Sequence, residues 1–279
     1  MSLANESVVI ITGAASGIGR ALAVRLSKEP IAGIAIADVN ENELAETKQL
    51  AERSGVKVTD HRVDVSSENE MRSFADDVIN QHGRVTHVIN NAGVALGGAV
   101  NEVSLDDIRW LMGINFWGVV HGTKVFLPHL ERESSAHIVN ISSIFGIFAP
   151  PGQAAYCASK FAVRGFTECL RQELAGSNIA VSVVHPGGVS TNIANDARIG
   201  DGVTMTETQI KERRKRINKN LARTTPDEAA EIIVRGIRAR APRILIGSDA
   251  RALDRIARFF PRKYFDIANR LARGRLHET

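Results

Sequence analysis

Tyr156 and Lys160 stand four residues apart, a spacing that on a helix puts both side chains on one face. A tyrosine with a pKa of about 10 is a poor base at neutral pH, but a nearby ammonium favours the phenolate. The pair is therefore suited to exchanging a proton with an alcohol or a carbonyl, although by itself it is also common on exposed helices. A second chemistry lies near the N-terminus. The segment Thr12-Gly13-Ala14-Ala15-Ser16-Gly17-Ile18-Gly19 separates an apolar run at 8–12 from a helical pattern at 20–28. Glycine is needed where a chain turns tightly and where backbone must approach a pyrophosphate, and a helix N-terminus offers free N–H groups to the phosphates. The spacing is Gly-x3-Gly-x-Gly, not the commoner Gly-x-Gly-x-x-Gly, and glycines alone also describe a plain turn; the position between first strand and first helix favours a dinucleotide.

Nineteen residues after Gly19, Asp38 ends the second apolar run. A carboxylate there can accept hydrogen bonds from both adenosine ribose hydroxyls and repels a 2′-phosphate; the alternative is a surface aspartate at a strand end. Neither Ser16 nor Val39, the neighbouring positions where a basic side chain could receive that phosphate, is basic, so NAD is favoured over NADP. Asp64-Val65 closes the third run, where Asp64 either meets the adenine amino group or caps the following helix.

The elements that must position these groups are seven apolar runs at 8–12, 31–38, 56–64, 85–90, 136–141, 179–185 and 243–247, with amphipathic helical stretches between them. Unalternated apolar strands must be buried on both faces. The pattern predicts an α/β fold: a Rossmann-type, doubly wound parallel sheet of about seven strands in a single domain, with a C-terminal amphipathic helical extension. Asn40 is expected to cap one helix, and Thr225-Pro226-Asp227-Glu228 carries a cap, a Pro at the first helical position and a capping-box acid. The expected division is residues 1–249 for the dinucleotide-binding domain, with a lid region at about 193–220, and 250–279 for the extension.

Read together, Thr12-Gly-x3-Gly-x-Gly19, Asn90-Asn91-Ala92-Gly93, Asn115, Ser142-Ser143, Tyr156-Cys157-Ala158-Ser159-Lys160 and Pro186-Gly187 occur in the order and spacing of the short-chain dehydrogenase/reductase family, which the chain resembles over roughly residues 7–248. The resemblance implies a catalytic set of Asn115, Ser143, Tyr156 and Lys160. Tyr156 would be the general acid/base and Ser143 the hydroxyl that holds the substrate oxygen. Lys160 would lower the tyrosine pKa and bind the nicotinamide ribose, and the Asn115 backbone would hold a water linking Lys160 to solvent, unless Asn115 only accommodates a helix distortion. The adjacent Ser142 is assigned a structural role, because on an extended strand it points elsewhere. The implied cofactor contacts are Gly13, Ser16, Gly17, Ile18, Gly19, Asp38, Asp64, Val65, Asn91, Ala92, Gly93, Tyr156, Lys160, Pro186, Gly187, Val189 and Thr191. The reading is an NAD-dependent oxidoreductase acting on a small hydrophobic alcohol or ketone. Its alternatives are an NADP-linked carbonyl or oxoacyl reductase and a non-catalytic dinucleotide-binding regulator. Family members are commonly homodimers or homotetramers.

Among the remaining features, the eight histidines and two cysteines show no ligand spacing, so no metal is expected, and most histidines are expected at the surface or at strand ends. Cys157 and Cys169 are about 18 Å apart along one helix and cannot pair. Residues 1–7 lack a basic n-region, and the uncharged stretch 134–159 contains two prolines and is no transmembrane helix; a cytoplasmic location is expected. The loop 144–153 is apolar and borders the substrate in the family, with Phe145 and Phe148 as substrate contacts or as core. The net charge of +4 hides an asymmetry: residues 205–279 carry 19 basic and 9 acidic side chains, and residues 1–204 carry 16 and 22. The basic run 211–216 could attract an anionic substrate tail or form a solvated helix face. Leu253, Ile256, Ala257 and Phe260, then Tyr264, Ile267, Ala268 and Leu271, form apolar stripes among arginines. Such a segment packs on the protein or makes peripheral contact with an anionic membrane; without stacking aromatics or a binding motif, nucleic acid is not expected.

Overall fold

In the computed structural model, residues 3–52, 54–212, 215 and 224–274 are described, 269 and 271–274 by their backbone alone. The seven apolar runs form one parallel sheet: β1 (Val8–Thr12), β2 (Gly33–Asp38), β3 (Lys57–Arg62), β4 (His87–Asn90), β6 (Ala136–Ile141), β7 (Ile179–Pro186) and β9 (Arg243–Ile246). The strand order is β3-β2-β1-β4-β6-β7-β9. The order reverses between β1 and β4, so a crevice must open beyond the carboxyl ends of those two strands.

Helices cover both faces. On one side α1 (Gly17–Leu26), α2 (Glu41–Glu52) and α7 (Pro226–Arg238) bury residues such as Leu22, Leu26, Leu44 and Ile233 against Ile11, Ile34 and Val184. On the other, α3 (Glu68–His82), α5 (Gly118–Leu130) and α6 (Ala154–Glu173) pack Phe74, Val78, Phe126 and Leu170 against Ile10, Val88 and Ile138. The expected caps are present. Asn40 Oδ1 accepts the Glu43 amide at 3.3 Å, and Thr225 and Glu228 form a reciprocal capping box.

Three features were not anticipated from the sequence. A second, two-stranded parallel ribbon joins β5 (Leu96–Gly97) to β8 (Arg198–Ile199), and Arg198 pairs with Asp107 of α4 (Leu105–Met112) at 2.9 Å while stacking on Trp110. The first part of the segment expected as a lid is thereby fastened down; residues 213–214 and 216–223 lie outside the described residues. The domain boundary expected after residue 249 falls inside α8 (Ser248–Phe259), where Ala250 is fully buried. The histidines His87, His137 and His185 do stand near strand ends, yet all three are buried.

The extension is helical, α8 followed by α9 (Tyr264–Gly274). Leu253 and Ala257 pack on Ile144 and Ile147, whereas Phe259 and Phe260 are exposed. No helix among the described residues is long and apolar enough to cross a membrane.

Candidate active site

A cleft of about 340 Å³ lies along the carboxyl ends of the central strands. At its β1 side, Gly13 has a φ of +65°, and a Cβ there would come within 2.6 Å of Ala92 Cα. Gly17 has a φ of +54° and faces Thr191, and a Cβ on Gly19 would meet Gly13 O at 2.1 Å. Ser16 takes the N-cap position of α1 with no side-chain cap bond, so the first-turn amides and the Ser16 hydroxyl are not consumed by the helix itself. This is a backbone cradle held open by missing side chains, and it fits a pyrophosphate.

The cradle is locked to the next turn. Asn91 Nδ2 donates to Thr12 O and Gly13 O, both at 2.9 Å, and Thr12 Oγ1 accepts the amides of Asn91 and Ala92. Asn91 thus shapes the cradle with its side chain. Asp38 reaches back from β2 to accept the Ala15 amide at 3.0 Å and also takes the Asn40 amide, while Val39 beside it is exposed. Asp64 behaves differently. Its carboxylate accepts from the amide and hydroxyl of Ser66, it does not line the cleft, and the cap of α3 is Ser67. Val63 and Val65 line that end instead.

At the β6 side Ser143, Tyr156 and Lys160 meet. Ser143 follows β6, its hydroxyl accepting the Phe145 amide at 3.1 Å, and Tyr156 and Lys160 rise from the first turns of α6. Burial pushes the tyrosine pKa up to about 12, against the lowering effect of Ser143. Burial also pulls Lys160 down to about 8; its ammonium donates to Ile141 O at 3.2 Å and stands 5.8 Å from the Tyr156 ring centroid. Desolvation of the phenolate sets the direction of the tyrosine's shift in this geometry. Ser142 donates to Lys160 O at 2.8 Å and fixes the strand to the helix.

Asn115 lies in a π-helical turn, Gly113–Trp117, fully buried and outside the cleft lining. Its side chain grips Val94 from both sides, accepting the amide at 2.8 Å and donating to the carbonyl at 3.0 Å, and it also donates to Ser159. A Cβ on Gly93 would lie 3.3 Å from both Asn115 Oδ1 and Lys160 Nζ, so glycine there keeps the three segments in contact. The distortion and the anchoring are one feature: the wider turn carries the side chain that holds the β4 turn against α6.

A further stretch of the cleft wall follows β7. Pro186, Gly187, Val189 and Thr191 all line the cleft. Sequence reasoning missed Asp249, whose carboxylate abuts Gly187 so closely that a Cβ there would sit 2.4 Å from both oxygens. It also missed His185, whose Nδ1 lies 2.9 Å from Ser143 O just past the end of β6. In the loop after β6, Phe145 packs edge-on against Tyr156, and Phe148 is buried with Tyr264 edge-on and Phe265 stacked against it.

A family profile described as short chain dehydrogenase matches residues 7–201. The chain belongs to the short-chain dehydrogenase family. It is 45% identical over 267 residues to SadH of Mycobacterium tuberculosis, named as an oxidoreductase, covering 95% of this chain and 94% of that one. A short-chain dehydrogenase/reductase from Burkholderia phymatum in complex with NAD superposes with a TM-score of 0.84 at 32% identity, covering 92% and 94% of the two chains. The alcohol dehydrogenase of the archaeon Thermococcus sibiricus, complexed with 5-hydroxy-NADP, shares the fold with a TM-score of 0.72 at 22% identity, covering 86% and 96%. Short-chain dehydrogenases bind a nicotinamide cofactor, and the cradle described above has the form such a cofactor needs; the fold alone does not choose between NAD and NADP.

Proposed function

We propose that this short-chain dehydrogenase is an NAD-linked oxidoreductase interconverting a hydrophobic secondary alcohol and its ketone, with Tyr156 exchanging a proton with the substrate oxygen. The observation that carries the reading is the convergence of Ser143, Tyr156 and Lys160 on one wall of the cleft whose opposite end is the glycine cradle. The bound nicotinamide supplies the hydride donor or acceptor.

Everything else is done by the chain. Gly13, Ser16, Gly17, Ile18 and the tightly packed Gly19 build the pyrophosphate cradle, and Asp38 takes the adenosine ribose hydroxyls with its remaining lone pairs. Val65, Ala92 and Gly93 line the adenosine side; Pro186, Gly187, Val189 and Thr191 hold the nicotinamide. Asp64, turned onto Ser66, has at most a peripheral part. Tyr156, protonated in this buried setting, is ready to donate to a ketone. Taking a proton from an alcohol requires that its pKa fall, which positive charge from Lys160 and an oxidised nicotinamide would cause. Ser143 orients the substrate oxygen, and Lys160 holds the nicotinamide ribose.

The NAD preference rests on Asp38 at the cleft rim beside the uncharged Val39, with support from the NAD complex of the Burkholderia relative. An apolar substrate is favoured by Phe145 against Tyr156 and by the aliphatic loop behind it. Leu253, Ala257, Tyr264 and Phe265 of the tail pack on that loop, which favours packing over membrane contact as their role. Self-association through α5 and α6 fits the exposed Trp117 and Phe161. The test is a panel of alcohols and ketones with NAD and NADP, following the absorbance of the reduced nicotinamide. Turnover of apolar secondary alcohols with NAD supports the reading; tight dinucleotide binding with no turnover across the panel favours a regulator.

A further inference from the structure

Behind the substrate loop, a separate cavity of about 570 Å³ that shares no lining residue with the cleft opens between α6, the β7 and β9 strands and α8. Its polar lining is four arginines, Arg164, Arg171, Arg243 and Arg258, against two acids, Glu168 and Asp254, a net of two positive charges. The acids do not saturate the arginines. Arg164 Nε donates to Glu168 at 2.9 Å, Arg243 pairs with Asp254, and Arg258 reaches the same Asp254 at 3.5 Å. Arg171 has no ion pair among the described residues, and the buried Arg243 Nε meets no hydrogen-bond acceptor among them.

Each guanidinium carries five donors and no acceptor, so this wall is a surplus of N–H groups with two carboxylates to serve them. Arg164 and Arg258 also crowd Arg243 electrostatically: burial and then their like charges hold its pKa below the usual arginine value, while Asp254 opposes them. A desolvated positive charge left partly unpaired is costly, and an anion of complementary shape relieves it. The remaining wall, including Ile147 and Pro242, is apolar.

We propose that this cavity is a binding site for a small organic phosphate. A phosphate monoester carries about −1.5 to −2 charge near neutral pH, matching the surplus, and accepts the forked donors of arginine. The site adjoins the catalytic loop without being part of the cleft. Ile147 is a wall residue, Arg164 donates to Gly146 O at 3.4 Å, and His185, which holds Ser143 O, feels the charges of Arg243, Arg164 and Asp254. An occupant therefore bears on the loop that carries Ser143 and Phe145.

The experiment is calorimetric titration of phenyl phosphate, and separately of inorganic phosphate, into the protein saturated with NAD at fixed ionic strength, so that the glycine cradle does not compete. Saturable binding of one phenyl phosphate per chain is expected, tighter than inorganic phosphate because of the apolar wall. It should weaken by about tenfold or more in Arg171→Gln, the loss of one charge-assisted contact. The unliganded Tm of that variant reports whether its fold is kept, and Arg258→Gln, an exposed position, serves where it is not. Absence of saturable heat with either ligand overturns the proposal, as does unchanged affinity in both variants. Binding that appears only when NAD is left out places the anion at the dinucleotide cleft and likewise overturns it.

Discussion

The Asp249 carboxylate, in the first turn of α8, accepts the Gly188 amide at 2.7 Å and so ties the C-terminal helices to the loop that follows β7. Gly247, with a φ of +92°, supplies the turn that brings Asp249 there. The helices beyond the last strand are thus part of the cleft's construction.

Replacing that carboxylate should loosen the Pro186-Gly187-Gly188 turn without touching the proton-transfer groups. Asp249→Ala is expected to raise the KM for NAD by about tenfold, the worth of one charge-assisted bond, with a smaller effect on kcat. Asp249→Asn, which keeps an acceptor of the same shape, should recover part of the loss. Steady-state kinetics of the two variants checks this; wild-type KM in Asp249→Ala would contradict the tie.

Asp38 offers a cleaner test of cofactor choice. The Asn in Asp38→Asn can still accept the Ala15 amide, so the glycine turn should keep its shape while the negative charge disappears. The KM for NAD should rise about tenfold and NADP should become a usable cofactor. Paired kinetics with the two dinucleotides decides; an unchanged preference would remove Asp38 from that role.

Buried histidines give the fold a defined pH response. Burial lowers His87 to about 4, His137 to about 3 and His185 to about 4, from the ordinary 6.5. Between pH 6.5 and those values the unfolded chain binds more protons than the folded one. Stability is therefore complete above pH 6.5 and falls as pH drops toward 4, by up to about 1.4 kcal/mol per pH unit for each histidine. Thermal melts from pH 7.5 to 4.5 should show Tm falling ever more steeply below 6.5. A flat profile, or one restored to flatness by no histidine replacement, would contradict it.

All seven strands of the main sheet were legible because a doubly buried strand is a short Val/Ile run whatever surrounds it, and the caps at Asn40 and Thr225 were legible because capping is local. The glycine cradle was legible for the same reason: Gly13, Gly17 and Gly19 answer to backbone conformation and close approach within one turn. What escaped depends on residues far apart in sequence. The β5–β8 ribbon, the reach of Asp249 to Gly188 and the aromatic packing of Tyr264 and Phe265 on Phe148 each join segments that no periodicity links. Asp64 was read as an adenine contact or a helix cap, but its carboxylate had a third use, and the local bonds to Ser66 prevail. The sign of the Tyr156 shift depends on desolvation, which spacing does not report.

The central claim is that the Tyr156 hydroxyl moves the proton. Tyr156→Phe removes one oxygen from a buried ring packed on Phe145, so fold and dinucleotide binding should persist. The direct measurement is kcat for an alcohol turned over by the wild type, alongside the dissociation constant for NADH from its fluorescence. The account predicts a fall in kcat of roughly a thousandfold with NADH affinity within about a factor of two. Turnover near wild type in that variant would contradict it.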